Sequence, residues 1–346
     1  MQKEGLSKKN IAYRDQPQAQ PARLGFLGLG WIGRNRMEAI ARHKAGEVVY
    51  ISDTASANAE VALRAAPGAG IVATLPDMLN GEIDGVVIAT PSGLHAEQAI
   101  RALKAGKAVF CQKPLGRNRE ETKRVVEAAR AADKLLGVDL SYRYTQAMQQ
   151  VYRLVQSGDL GFIYAVELTF HNAYGPDKAW FYDRELSGGG CVIDLGVHLV
   201  DLALWCLSFP EVESVSSSLF SKGKRLTAAE GQVEDYATAA IALQTGTHLQ
   251  LTCSWNLPAG QPAIINATFY GSTGATAFKN CDGSFYDFCA ERYYGTQTET
   301  LCLPPDDWSG RAAVAWAKRV AAGENFHPQA EEFIKVAAVL DKIYGK

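Results

Sequence analysis

The stretch from Leu24 to Asp53 constrains this chain more than any other. An apolar run, Leu24 to Leu27, feeds Gly28-Leu29-Gly30-Trp31-Ile32-Gly33; a helix-like segment follows, and Val48 to Ile51 leads to Asp53. A G-x-G-x-x-G sequence between a strand and a helix is the setting in which a dinucleotide binds. Gly28 permits the tight turn, Gly30 lets a pyrophosphate approach the backbone, and Gly33 lets the helix pack closely on its strand. The helix that opens at Trp31 and Ile32 turns free N–H groups and a positive dipole end toward the phosphates. Glycine-rich turns of other kinds imitate this pattern, so the acid closing the next strand matters. Asp53 lies twenty residues past Gly33, where a carboxylate accepts from the adenosine ribose hydroxyls and repels a 2′-phosphate. Thr54 beside it adds no cation, so NAD is expected in preference to NADP. The competing reading is a glycine turn with an incidental surface aspartate.

At 346 residues the chain has the length for two domains, each with a core. In residues 23–143 strand and helix signals alternate, and Gly85 to Thr90 is a nearly continuous apolar run, as for a strand covered on both faces. That alternation predicts an α/β fold with a doubly wound parallel sheet, a Rossmann domain. In residues 144–326 a helix from Gln146 to Ser157 precedes strand-like runs at Phe162–Phe170, Glu213–Phe220, Tyr236–Gln244, His248–Trp255 and Ile264–Tyr270. Strands with few helices between them predict a second α/β domain with an open, mostly antiparallel sheet. Ala312 to Ala321 and a final helix within residues 327–346 are expected to return to the first domain. Residues 1–22 are polar and read as an arm that is flexible or pinned by a partner subunit.

Formal net charge is −2 with 21% charged residues, which gives no electrostatic footprint for nucleic acid or an anionic membrane. No apolar run is seen to reach the roughly eighteen residues of a spanning helix, and the first residues lack the apolar core of a secretory signal. A cytoplasmic protein without nucleic-acid or membrane partners is expected. Seven cysteines without a C-x-x-C pair signal neither a disulfide framework nor a zinc knuckle.

Three places hold residues with chemistry, each where an element should end beside the ligand. Thr90-Pro91-Ser92, with His95 beyond, follows a strand of the first sheet, and ligands lie outside the carboxyl ends of such strands. Cys111-Gln112-Lys113-Pro114 ends the next strand; a lysine held there can steady an oxygen on which negative charge develops, and the tight turn is a setting for a cis Lys113–Pro114 bond. Gly188-Gly189-Gly190 leads into a helix on which Asp194, His198 and Asp201 fall at i, i+4 and i+7, hence on one face. A carboxylate and an imidazole on one face can share a hydroxyl, one orienting it and the other taking its proton. Asp194 as a helix cap, or the trio as a metal site, are the alternatives; no metal is expected.

In that order, the glycine fingerprint, the T-P-S loop with its histidine, the K-P turn and G-G-G-x-x-x-D-x-G-x-H-x-x-D resemble the glucose-fructose oxidoreductase and inositol dehydrogenase family, Gfo/Idh/MocA. The resemblance implies a Rossmann domain followed by an α/β domain whose open sheet forms homodimer or homotetramer contacts. It also implies oxidation or reduction of a secondary alcohol of a sugar, cyclitol or related polyol with NAD(H). Its catalytic lysine corresponds to Lys113, and its aspartate and histidine to Asp194 and His198. Gln112 stands where the family usually has Glu, which removes a negative charge beside Lys113 while keeping a hydrogen-bonding group for a ribose or the lysine.

His198 is thus expected to accept the hydroxyl proton, with oxidation quickening as pH rises past about 6.5. Arg143, Tyr174, Trp180 and Tyr182 are candidates for the substrate wall, and alkylation of Cys111 or Cys191 is expected to inactivate. The rival functions are a hydrolase or lyase that retains NAD and works by transient oxidation, and a sensor that holds NAD without chemistry.

Overall fold

A computed structural model describes residues 20–227 and 231–346. The expected arm lies outside the described residues apart from its last three positions, and Ala22 already opens the first strand. Six strands, β1 (Ala22–Leu27), β2 (Gly46–Ser52), β3 (Gly70–Ile71), β4 (Gly85–Ile88), β5 (Ala108–Cys111) and β6 (Leu136–Val138), form one sheet in the order β3-β2-β1-β4-β5-β6. All neighbours are parallel. The chain crosses from β3 at one edge back to β4 beside β1, so the order reverses between β1 and β4, and a crevice opens at their carboxyl ends.

Helices cover both faces: α1 (Trp31–Arg42), α2 (Ser56–Leu63), α3 (Leu75–Leu79), α4 (Ser92–Lys104) and α5 (Arg119–Ala132). Every residue of β4 is buried, which its uninterrupted apolar sequence requires. The short α3 has a reciprocal Thr74/Asp77 capping box, a start signal that sequence reading passed over.

The chain then runs through α6 (Gln146–Ser157), α7 (Arg184–Ser187), a π-helical turn at Val192–Gly196 and α8 (Val197–Cys206). Nine strands make the second sheet: β7 (Ile163–Asn172), β8 (Val212–Ser221), β9 (Lys224–Arg225), β10 (Tyr236–Leu243), β11 (His248–Ser254), β12 (Ala263–Gly271), β13 (Ala275–Asn280), β14 (Phe288–Tyr294) and β15 (Gln297–Cys302). Their order is β15-β14-β13-β12-β7-β11-β10-β8-β9, antiparallel throughout except for the central β7–β11 pair. Buried side chains alternate along β10 and β11 and pack with those of α8 into one core.

Helix α9 (Arg311–Ala321) returns to the first sheet, where Trp316 stands 5.7 Å from Phe110 in a core shared with Leu24 and Phe26. Helix α10 (Glu331–Ile343) lies between α5 of the first lobe and α8 and β8 of the second.

One correction concerns apolar length. The helical stretch Arg184–Cys206 has a window of mean hydropathy 1.5, enough by length and composition for a membrane span; 89% of that window is buried inside the protein. Asp194, His198 and Asp201 lower that mean, but the surrounding Val, Ile and Leu keep the window apolar.

Candidate functional site

A cleft of about 800 Å³ runs along the carboxyl end of the first sheet and is closed on its far side by the second lobe. At one end is the glycine loop. Gly28 has φ of +87°, and a Cβ on it would stand 2.5 Å from the Ala89 carbonyl oxygen. Gly33 rests against the Gly28 carbonyl, whereas a Cβ on Gly30 would meet nothing within 4 Å. Gly30 is also the N-cap of α1 and offers no side-chain acceptor, so the first N–H groups of the helix remain open to a ligand. Trp31, 59% exposed, and Ile32 line the same space.

The Asp53 carboxylate accepts from the Leu29 N–H at 2.6 Å, from the Ala55 N–H at 2.8 Å and from Asn58 at 3.2 Å. It therefore braces the glycine loop as well as facing the cleft, where its neighbours Thr54, Ala55, Asn58 and Thr74 carry no positive charge.

Beyond β4, Thr90, Pro91 and Ser92 line the cleft, and Thr90 donates its hydroxyl hydrogen to Gln98 at 2.6 Å. His95 is buried with Nδ1 2.7 Å from the Pro114 carbonyl and Nε2 2.7 Å from the Thr90 carbonyl. Burial lowers its pKa against the pull of these two acceptors; the neutral ring carries one N–H and donates to one of the two carbonyls. It lines the cleft and also ties the loop after β4 to the turn after β5.

The two lobes meet at Lys113. Its Nζ donates to Asp194 Oδ1 at 2.6 Å and to the Asp194 carbonyl at 2.8 Å, and the Lys113–Pro114 bond is cis. Trp255 Nε1 donates to the other Asp194 oxygen at 3.1 Å. The indole at the end of β11 thus orients a carboxylate sixty-one residues earlier, a contact that no local pattern announces.

The π turn carrying Asp194 starts where three glycines pass beneath two other segments. Any side chain at Gly190 would collide with the Glu234 backbone. In the space left free, the Glu234 carboxylate accepts from the N–H groups of Gly190 (3.0 Å) and Val192 (2.9 Å) and from the Tyr344 hydroxyl (2.8 Å).

His198 opens on the same cleft, its ring edge-on to Tyr142 with centroids 4.8 Å apart. Burial, then the charges of Lys113 and Arg36, hold its pKa well below the ordinary value. The imidazole is therefore neutral through the neutral pH range. The expected rise of oxidation past about pH 6.5 is corrected to a lower pH, because an unburied reference does not apply to this ring.

Other expectations need correcting. Asp201 does not join Asp194 and His198: its buried carboxylate is claimed by an arginine from the segment after β6. Its carboxylate is held bidentately by Arg143, at 2.8 and 2.5 Å, and Arg143 also reaches Glu332 at 3.0 Å. Arg143 and Tyr174 are thereby removed from the substrate wall. Neither lines the cleft, and Tyr174 is 59% exposed. Tyr182 lies outside as well, donating to the Pro176 carbonyl at 3.1 Å. Trp180 remains, stacked on Phe181 with ring centroids 3.8 Å apart.

Gln112 is 6% exposed and donates to Asp139, not to Lys113. Cys111 and Cys191 are fully enclosed, and burial pushes both thiols well above their ordinary range, so sensitivity to alkylation is no longer expected.

A dinucleotide fold whose glycine loop shares one cleft with an amine, a carboxylate and a neutral imidazole defines a two-lobed oxidoreductase. The chain belongs to the Gfo/Idh/MocA family: residues 22–140 match its oxidoreductase domain with an NAD-binding Rossmann fold, and residues 148–277 match a GFO/IDH/MocA C-terminal domain. It is 32% identical to D-glucoside 3-dehydrogenase of Escherichia coli strain K12 over 61% of this chain and 62% of that protein. It is likewise 32% identical to 1,5-anhydro-D-fructose reductase of Ensifer adhaerens, over 66% of this chain and 68% of the relative. A 3-ketoreductase from Actinomadura kijaniata, solved with NADP and TDP-benzene, superposes with a TM-score of 0.80 at 25% identity, covering 93% of this chain and 96% of that one.

Proposed function

We propose that the protein is an NAD-dependent oxidoreductase that interconverts a secondary alcohol of a sugar, cyclitol or related polyol with its ketone. The observation that carries this reading is the 2.6 Å approach of Lys113 Nζ to Asp194 Oδ1, across the two lobes, in the cleft that also receives His198 and the glycine loop. Residues with a suitable shape and chemistry for the cofactor are the open N–H groups after Gly30, the Asp53 carboxylate and the walls formed by Thr90, Pro91 and Ser92. When bound, a nicotinamide would supply the acceptor for the hydride of the alcohol carbon.

The protein side chains handle the proton and the charge. The neutral ring of His198 takes the hydroxyl proton, and the ammonium of Lys113 steadies the oxygen as it turns toward a carbonyl. Asp194, fixed by Trp255, orients that hydroxyl. NAD is favoured over NADP because Asp53 has no cation among its cleft neighbours to meet a 2′-phosphate. The names of the relatives, a glucoside dehydrogenase and an anhydrofructose reductase, support a neutral polyhydroxylated substrate. Assembly as a homodimer or homotetramer through the second sheet is part of this proposal, supported by side chains such as Tyr164 and Glu167 left exposed on β7.

The test is a screen of inositols, hexoses, glucosides and sugar acids with NAD and NADP, read by absorbance of the reduced cofactor. Reduction of NAD by a member of this panel is expected; glycoside cleavage with no net reduction would refute the assignment.

A further inference from the structure

Two buried side chains at the carboxyl end of the first sheet have no part in the chemistry above. Asp139, just past β6, is 1% exposed, and Arg36 on α1 is 3% exposed. Arg36 Nε donates to Asp139 Oδ2 at 2.6 Å, and Gln112 Nε2 donates to the same oxygen at 2.5 Å. Arg36 is itself held by Asn35 at 2.7 Å and by Ser309 at 3.1 Å. The other oxygen, Asp139 Oδ1, has no hydrogen-bond partner among the described residues, although Asp139 lines the cleft together with Lys113, Asp194 and His198. A buried acceptor left empty is costly, and because this oxygen is itself enclosed, the donor it lacks reaches it from the cleft through a bridging water or a small turn of the carboxylate.

The same arrangement accounts for the amide at position 112. A carboxylate there would set two acceptors, with no proton between them, at hydrogen-bonding distance from each other. The Gln112 amide supplies the donor that Asp139 needs. We propose that Asp139 provides the carboxylate that position 112 lacks, its Oδ1 accepting a hydroxyl of the bound ligand, and that Gln112 and Arg36 are the positioning residues that aim it. Asp53 follows β2 and Asp139 follows β6, on opposite sides of the β1/β4 crevice, so the hydroxyl belongs to the Lys113 end of the cleft. It comes from the cofactor ribose on that side or from the polyol. The ligand half of this inference rests on the oxidoreductase reading; the pairing of Asp139 with Gln112 does not.

Asp139→Asn is the informative change, because Arg36 and Gln112 both donate to the Oδ2 position and will hold the new carbonyl oxygen there. The amide nitrogen then replaces Oδ1, and an acceptor becomes a donor. Loss of one charge-assisted bond to the ligand is expected to weaken binding by about tenfold or more. Two titrations separate the sources: NADH fluorescence without substrate, and KM for the polyol at saturating NAD. A rise in the NADH Kd assigns the hydroxyl to the cofactor, and a rise in KM alone assigns it to the substrate. Both unchanged in a variant with a normal melting temperature would overturn the proposal.

A second arm tests the pairing. Gln112→Glu is expected to lower the melting temperature, because it removes a donor to Asp139 Oδ2 and sets two carboxylates against each other, and to lower it less at a pH acid enough to place a proton between them. A melting temperature equal to that of the unaltered protein across this pH range would refute the pairing. If the unaltered protein fails to bind NADH, the oxidoreductase reading and the ligand half fall together, while the melting comparison still decides the pairing.

Discussion

Arg36–Asp139 and Arg143–Asp201 are both buried arginine–aspartate pairs, and the contrast between them separates a site from a strut. In the second pair both carboxylate oxygens are taken by one guanidinium, at 2.8 and 2.5 Å, and the arginine is further boxed in by Glu332 and the rings of Trp205 and Phe209. In the first, the arginine and Gln112 share one carboxylate oxygen, and the other oxygen is left free in a side chain that lines the cleft. Burial and charge are common to both. What differs is whether any polar valence remains for a ligand.

The largest effect expected from this contrast is on stability. Asp201→Ala leaves the Arg143 guanidinium buried without its partner, and such breakage costs about 3–5 kcal/mol. Urea denaturation checks it, and turnover per folded molecule should stay close to that of the unaltered protein. A large loss of turnover at full stability would put Asp201 back into the site.

Lys113→Met should behave in the opposite way. The amine contacts the cleft, so kcat is expected to fall by about 10²–10³-fold, the scale for loss of one donor to a developing oxyanion. Steady-state kinetics with the identified polyol measures it, with denaturation as the control. Asp53→Asn comes next. Removing the charge that favours the ribose and repels a 2′-phosphate should narrow the NAD over NADP preference by about tenfold, read as the ratio of kcat/KM values.

The smallest effect is a pH trend. His95 and His198 are both depressed below the unfolded value by burial, so between the folded and unfolded pKa the unfolded chain binds more protons. Their stabilising contribution is complete above about pH 6.5 and is lost as pH falls through the depressed values. Melting temperature should decline with acidification below that point, and less steeply in His198→Gln.

How much of this was legible in the chain follows from the range of each interaction. The glycine loop, Asp53, the K-P turn and the Asp194/His198 spacing are local, and each reads directly from neighbouring residues. Trp255 on Asp194, Arg36 on Asp139 and Glu234 under the glycines join positions 44 to 103 residues apart, and a single sequence holds no period that links them. The role of Asp201 is not legible either, because its partner Arg143 lies fifty-eight residues away. Strands β13 to β15 went unread for another reason. β14 and β15 include Glu291, Arg292 and Glu299, charged side chains that an edge of an open sheet tolerates and that blur the alternation on which strand reading depends.

The account stands or falls on convergence of the amine and the imidazole upon one hydroxyl. The most direct test is the pH profile of kcat/KM for polyol oxidation by the unaltered protein and by His198→Asn. The prediction is an acid limb well below pH 6.5 that disappears in the variant, together with a loss of about 10²–10⁴-fold at undiminished NADH affinity. Full turnover by the variant with the same acid limb would contradict it.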